Sequence, residues 1–539
     1  MKQLFIVFIV AISFTIKSQD SQKTDLSSFS KAKINWHNKD FKTDKIAGTS
    51  VEKLYTELIK DKKPKKSIIV AIIDGGVDIN HVDLKENIWI NKKELAENGI
   101  DDDKNGYIDD VNGWNFLGNS KGENIVNAPL EKTRIFGILD KKYSSKTEND
   151  VPESDKKEYQ LYLKVKQSFN KEYQNALAEN NSIKEFISNI GLAEAYMRNY
   201  LKKAEITLSD LKAIKTNDAE LKSINDFLKS IYSSNFDIKE VENYNKHLET
   251  EIKYHLNVDF NPRKDIIGDD CENYNQIYGN NDVIGKEPSH GTFGAGIIAS
   301  KRNNNIGIDG VADSVKLMIL RVVPDGDEYD KDVALSIKYA VDNGANIINM
   351  SFGKEFSVNP KKVWEAIKYA SDRNVLLVHA AGNESENNDT IIHYPSKFVE
   401  NTDTVVNFIA VGASDMKNDK NLPASFSNYG KKNVDVFAPG YELVSTAPKN
   451  TYSLASGTSF STPLVAGIAA LIWSYFPQLT ATELKNEILS DVQYFGKQKV
   501  YIPSDGYEKK TKTEFKNLSV SGGIVNAYNI YLHLSMTNK

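Results

Sequence analysis

The feature that most constrains this chain is a continuous apolar run, residues 67–73 (S-I-I-V-A-I-I), stopped abruptly by Asp74-Gly75-Gly76. A strand without polar alternation has no face to offer water. It must be covered on both sides, as in a parallel sheet flanked by helices. Runs of the same kind recur at residues 316–323, 347–350, 375–378 and 405–411, with helical patterns at 332–343 and 361–373 between them. This alternation predicts an α/β fold with a doubly wound, mostly parallel sheet. In such sheets ligands meet the carboxyl ends of the strands, so the residues where the apolar runs stop are the ones to inspect.

Composition removes several function classes. The chain has 539 residues, with 68 Lys and Arg against 73 Asp and Glu, a net charge of −5. No basic excess exists to neutralise phosphates, so nucleic acid is excluded as a dedicated partner. The single cysteine, Cys271, rules out an intramolecular disulfide and a thiolate zinc cluster. Its neighbours Asp269, Asp270 and Glu272 oppose thiolate formation.

The first residues read as a targeting segment. Met1-Lys2 precedes an apolar-dominated run of thirteen residues, 4–16, and then Lys17-Ser18-Gln19. A charged start, a short apolar core and a small residue at its end describe a secretory signal peptide over 1–18. Thirteen residues fall short of the about 20 needed to span a bilayer, so no membrane anchor is expected after cleavage. The mature protein is expected to be exported, periplasmic or extracellular, and monomeric. Residues 19–66 read as an N-terminal extension and 67–535 as the main domain.

One region differs in kind. Residues 141–256 contain one glycine, Gly191, and one proline, Pro152, with nineteen acidic and nineteen basic residues. Leu, Ile and aromatic residues recur at three- and four-residue spacing, as in the series Leu201, Ile206, Leu208, Leu211 and Ile214. Residues 130–257 therefore read as an insertion of two to four amphipathic helices, packed on the sheet domain or serving a partner.

Three segments carry candidate chemistry: Asp74-Gly75-Gly76 after the first strand, His290-Gly291-Thr292 opening a small apolar helix, and residues 457–463 (G-T-S-F-S-T-P) opening a second. Singly, each has an ordinary explanation as a turn or a helix cap. Together they supply an acid, a base and a hydroxyl nucleophile, the set that hydroxyl catalysis requires. A fourth segment, Ala380-Ala381-Gly382-Asn383, follows another strand and offers an amide donor to a developing oxyanion.

The order Asp, His, Ser with D-G-G, H-G-T and G-T-S-x-S-T-P resembles the subtilisin-like serine proteases, or subtilases. Further likenesses are residues 351–353 (S-F-G), 424–430 (A-S-F-S-N-Y-G), 437–440 (F-A-P-G) and 523–527 (G-I-V-N-A). The resemblance implies a secreted serine endopeptidase acting on polypeptides. Ser459 would be the nucleophile, His290 the base, Asp74 its orienting acid and Asn383 an oxyanion donor. It implies substrate-binding walls at Ser351, Phe352, Gly353, Ala380, Ala381 and Gly382. Departures from the family pattern are Gly75 in place of Ser or Thr, residues 293–295 (F-G-A) in place of His-Val-Ala, Phe352 for Trp and Phe460 for Met. The other readings are a subtilase-fold scaffold acting through its helical insertion and, more distantly, an esterase. Esterases of that type use G-x-S-x-G elbows with Ser first in chain order.

Residues 101–110 (D-D-D-K-N-G-Y-I-D-D) match the first part of the D-x-D-x-N-G calcium loop. Asp101, Asp103, Asn105, Tyr107 and Asp109 are the expected ligands of a structural Ca2+, a solvated acidic turn being the other reading. Asn112 stands where an EF-hand has its bidentate Glu, which disfavours a full EF-hand. His379, inside a strand, reads as a packed histidine. His81 and His393 lie in loops with no partner evident in sequence.

Overall fold

The structure, a computed structural model, describes residues 26–234, 236–400, 402–504 and 511–537. The expected signal peptide at 1–18 lies outside them. Its strands are β1 (Ile68–Asp74), β2 (Gly113–Asn115), β3 (Val315–Arg321), β4 (Ile347–Met350), β5 (Leu376–Ala380), β6 (Phe408–Ser414), β7 (Val436–Pro439), β8 (Leu443–Ala447), β9 (Thr451–Ala455), β10 (Gln493–Tyr494), β11 (Lys499–Tyr501), β12 (Lys512–Glu514) and β13 (Gly523–Ile524). Nine of them form one sheet in the order β10-β13-β7-β6-β5-β4-β1-β3-β2. Every pairing in it is parallel except β10 with β13. Two separate antiparallel pairs, β8–β9 and β11–β12, complete the strands among the described residues.

Strand β1 shows why the sheet needs two helical layers. Ile68, Val70 and Ile72 belong to one buried cluster, with residues of the helices Ser289–Ala299 and Thr458–Tyr475. Ala71 and Ile73 belong to another, with the helices Asp330–Asp342 and Pro360–Asp372. Successive side chains of a strand point to opposite faces, so position 74 continues the series of Ile68, Val70 and Ile72. That parity directs Asp74 to the side occupied by the helix Ser289–Ala299. The doubly wound α/β class expected from the sequence is the class observed.

The N-terminal stretch is part of this core. Trp36 is fully buried in the β1 cluster, with Val51 and Leu54. Its indole Nε1 donates to the Glu442 carbonyl at 3.2 Å. The Ala47 N–H bonds Met416 at 2.9 Å, and the Asn526 amide donates to the Ser50 hydroxyl at 2.8 Å. Residues 26–66 therefore belong with the sheet.

The chain divides into two units, and the second comprises Ile125–Asp265 with Pro324–Asp327. It holds five α-helices among the described residues: Glu131–Tyr143, Lys156–Leu201, Leu208–Ala213, Ala219–Ser233 and Ile238–Thr250. Small apolar clusters hold it together, one built on Phe169, Ala176 and Leu256 and another on Met197, Leu211 and Leu228. Among the described residues no helix is long and apolar enough to cross a membrane.

Truncating a buried tryptophan removes its transfer energy and leaves a cavity, about 3–5 kcal/mol together. Trp36→Ala is therefore expected to lower the thermal midpoint of the protein clearly, as read by calorimetry. An unchanged midpoint would show that the N-terminal stretch lies outside the cooperative core.

Candidate active site

Asp74 ends β1 and is almost wholly buried, 3% exposed. Its carboxylate lies 2.9 and 3.0 Å from His290 Nδ1 and also accepts the Gly75 N–H at 2.7 Å. A carboxylate only accepts at neutral pH, so Nδ1 carries the proton and Nε2 is left as the basic nitrogen. Glycine at 291 permits this approach. A Cβ there would lie 2.2 Å from the Gly76 carbonyl oxygen and 3.2 Å from the Asp74 Cβ. The helix could not come so close to the end of β1 with any side chain at that position. Burial lowers the His290 pKa, but the charge and hydrogen bond of Asp74 outweigh it, and the net shift is upward from 6.5.

Every residue of the helix Thr458–Tyr475 is buried except Ser459. The helix is apolar all round because it is packed all round, and its second residue is the one that meets solvent. The ring of Phe460, next in chain, lies 5.2 Å from the His290 ring and 4.3 Å from that of Phe293. These contacts bring the start of this helix to the start of Ser289–Ala299. Pro463 lies inside the helix and has no N–H to give the Ser459 carbonyl four residues back. The Ser351 hydroxyl, just past β4, donates to that carbonyl instead, at 2.8 Å.

Asn383 follows β5 in a turn. Its Oδ1 accepts from the Thr458 N–H at 2.9 Å and the Thr458 hydroxyl at 3.0 Å. A backbone N–H can only donate, so the amide oxygen must face Thr458 and the Nδ2 group must face away from it. The Thr458 hydroxyl in turn accepts from the Gly382 N–H at 3.2 Å. The geometry is therefore an amide donor fixed next to a helix N-terminus that carries a half-exposed serine.

The sequence model of the subtilase family matches residues 65–517. The chain belongs to that family. It is 36% identical to subtilisin BL of Lederbergia lenta over 233 residues, 42% of this chain and 80% of that protein. Over 233 residues it is 35% identical to M-protease of Shouchella clausii, covering 42% of this chain and 57% of the relative. The solved structure of the prenylagaramide maturation protease PagA aligns with 46% of this chain and 82% of its own at 28% identity, with a TM-score of 0.37. As a subtilase, the protein is a serine-type endopeptidase.

The residues expected to wall the substrate cleft of this subtilase divide by what their side chains do. Ser351 is turned to Ser459, and Phe352 is buried in the sheet core at 8% exposure. Ala380 and Ala381 are buried, at 5% and 1%. Gly353 is exposed and Gly382 half-buried, so what these segments present to solvent is mainly backbone. His379 is buried, as expected, and its pKa falls to about 3 through burial.

Two histidines with no partner evident in sequence have partners in the fold. His81 Nε2 lies 3.1 Å from the Thr451 carbonyl. His393 Nε2 lies 2.8 Å from the Glu386 carboxylate, beside Glu384 and Asn428. The first spans 370 residues, whereas Glu386 stands only seven residues from His393 and Asn428 thirty-five.

The acidic loop gathers a somewhat different set from the one expected. Carboxylate oxygens of Asp101, Asp103 and Glu94 all lie within 4.8 Å of one another. Glu94 has no place in the D-x-D-x-N-G pattern. The Asp109 carboxylate is turned to the Asn98 and Gly99 N–H groups, at 3.1 and 2.9 Å. The Asn105 Oδ1 accepts from the Tyr107 N–H at 2.8 Å. The Tyr107 ring packs edge-on to Trp114 and Tyr339.

Two buried histidines resist protonation in the native state. His37 and His379 both drop to about 3, His37 through burial and then the nearby charge of Arg302. Between 6.5 and that value the unfolded chain binds protons that the native state refuses, so stability falls as pH falls. His290 acts in the opposite sense, its contribution being lost as pH rises through its raised pKa. The thermal midpoint is expected to decline from about pH 6.5 towards pH 4, and His379→Met to flatten part of that decline. A midpoint independent of pH over that range would contradict the assignment.

Proposed function

We propose that Ser459, His290 and Asp74 form the hydrolytic triad of an exported subtilase, with Asn383 in its oxyanion hole. The reading is carried by the Asp74–His290 hydrogen bond at 2.9 Å, together with the single unburied residue of a buried helix, Ser459. The Ser459 hydroxyl attacks the peptide carbonyl while His290 Nε2 takes its proton. Asp74 holds the ring in the Nδ1–H tautomer and stabilises the imidazolium that results. The tetrahedral oxyanion accepts from Asn383 Nδ2 and from the Ser459 N–H at the positive end of the helix. His290 then returns the proton to the leaving amine, and water repeats the sequence to release the acid.

On the scale known for subtilisin, a relative of this chain, losing the serine costs about 10⁶ in kcat and losing the oxyanion Asn roughly 10²–10³. Ser459→Ala is expected to give a folded, exported protein that neither hydrolyses casein nor takes a fluorophosphonate label. Hydrolysis at the wild-type rate would overturn the assignment. The base must be neutral to act, so kcat/KM should fall on the acid side with a midpoint above 6.5, since Asp74 raises the His290 pKa. A midpoint below 6.5 would contradict the pairing.

The apolar run at residues 4–16, with Lys2 before it and Ser18 after it, supports export through a cleaved signal peptide. Amino-terminal sequencing of the mature protein tests this. We also propose a structural Ca2+ at the acidic loop. Glu94, Asp101 and Asp103 supply hard carboxylate oxygens in mutual reach, the donor class that Ca2+ prefers. EDTA should lower the thermal midpoint and added Ca2+ restore it. Coincident melting curves would remove the metal from the account.

A further inference from the structure

The proposed oxyanion donor, Asn383, stands on residues 381–386, which form neither helix nor strand. Something other than a hydrogen-bond ladder must hold this loop, because an oxyanion donor contributes only if it is fixed before charge develops. The neighbouring segment, residues 424–430 (A-S-F-S-N-Y-G), has no role in the chemistry so far described. Its Asn428 is fully buried.

Apart from a 3.2 Å contact of Nδ2 with His393 Nε2, the Asn428 side chain is spent on that loop. Its Oδ1 accepts from the Glu384 N–H at 3.0 Å and the Glu386 N–H at 2.8 Å. Its Nδ2 donates to the Ala381 carbonyl at 3.1 Å and to the Glu384 carboxylate at 2.8 Å. Its own N–H donates to the Gly382 carbonyl at 2.9 Å. The Glu384 carboxylate held in this way accepts the Asn383 N–H, again at 2.8 Å. One residue therefore satisfies main-chain groups on both sides of Asn383.

The fit leaves little tolerance. Gly382 has φ +110°, and a Cβ there would lie 2.2 Å from Asn428 Nδ2. The position also needs an amide. A carboxylate could accept from the two N–H groups but could not donate to Ala381, and it would face the Glu384 carboxylate. An aliphatic side chain could do neither.

We propose that Asn428 is a positioning residue that aims the Asn383 amide at the developing oxyanion. The proposal rests on the oxyanion reading of Asn383 given above. Without the Asn428 side chain the main chain on both sides of Asn383 loses these bonds, and the Thr458 contacts to Asn383 Oδ1 no longer suffice to aim Nδ2 in one direction. The oxyanion exists only in the transition state, so the loss should appear in kcat and leave substrate binding nearly unchanged.

The test uses the full-length enzyme and the variants N428A, N383A and N383A/N428A, assayed on a chromogenic peptide anilide. Inhibition by a peptide aldehyde, whose tetrahedral adduct uses the same donors, is measured alongside. N428A is expected to lower kcat by about tenfold or more with KM within about twofold, and to weaken the aldehyde by the same factor as kcat/KM. Because both residues act through one amide, the double variant should be no slower than N383A alone. If N428A does not fold, N428D takes its place: it keeps the acceptor, loses the donors, and should shift kcat in the same direction. A raised KM at constant kcat, or a further loss when N428A is added to N383A, would overturn the positioning role while leaving the oxyanion reading intact. Wild-type kcat in N383A would instead sink the oxyanion reading itself.

Discussion

The arrangement depends on β1 being covered on both faces. Its even-numbered residues pack against one pair of helices and its odd-numbered residues against the other pair. Strand parity then decides where the carboxylate at the strand end must point, and the glycine at 291 decides how near the histidine helix can come. The contact between an acid and a base 216 residues apart is thus a product of core packing. A change in register by one residue would turn Asp74 to the opposite layer, away from its partner.

Around that contact, the irregular segments are held by side chains that stand in for missing backbone partners. Pro463 leaves the Ser459 carbonyl without its helical donor, and Ser351 supplies one from the end of a neighbouring strand. Thr458 bonds Asn383 and Gly382 at once. Such substitutions fix reactive groups on loops as firmly as a ladder would, and orphan carbonyls near a helix start are satisfied in the same step.

The strands were legible in the sequence, because a strand buried on both faces has an unmistakable composition; the residues proposed above as acid, base and nucleophile stand at the end of such a strand and at two helix starts. Boundaries drifted by up to three residues: the run at 405–411 becomes Phe408–Ser414, since apolar content does not mark where the hydrogen-bond ladder begins. Long-range partners were not legible. Glu94 joins Asp101 and Asp103 from outside their motif. His393 and Asn428 meet across 35 residues. Residues 19–66 read as an N-terminal extension because Trp36 stands among polar residues and the helical spacing of Val51, Leu54, Tyr55 and Leu58 lasts only two turns, yet Trp36, Val51 and Leu54 are core. For Ser351 and Phe352, both expected at the substrate cleft, only the fold shows that one serves a carbonyl and the other the core.

The bond between Asn526 and Ser50 spans 476 residues, and the Ala527 N–H bonds Thr49 beside it. A chain assembled from its amino end therefore completes this seam only once residues 526 and 527 have appeared. Topologies closed by such distant contacts assemble slowly, since the loop must be drawn together before the contacts repay it. A polypeptide in which residues 526 and 527 have yet to appear lacks these two bonds to Thr49 and Ser50, beside the core residues Val51 and Leu54. The early part of the core is thus locked to a late segment only after both have been made.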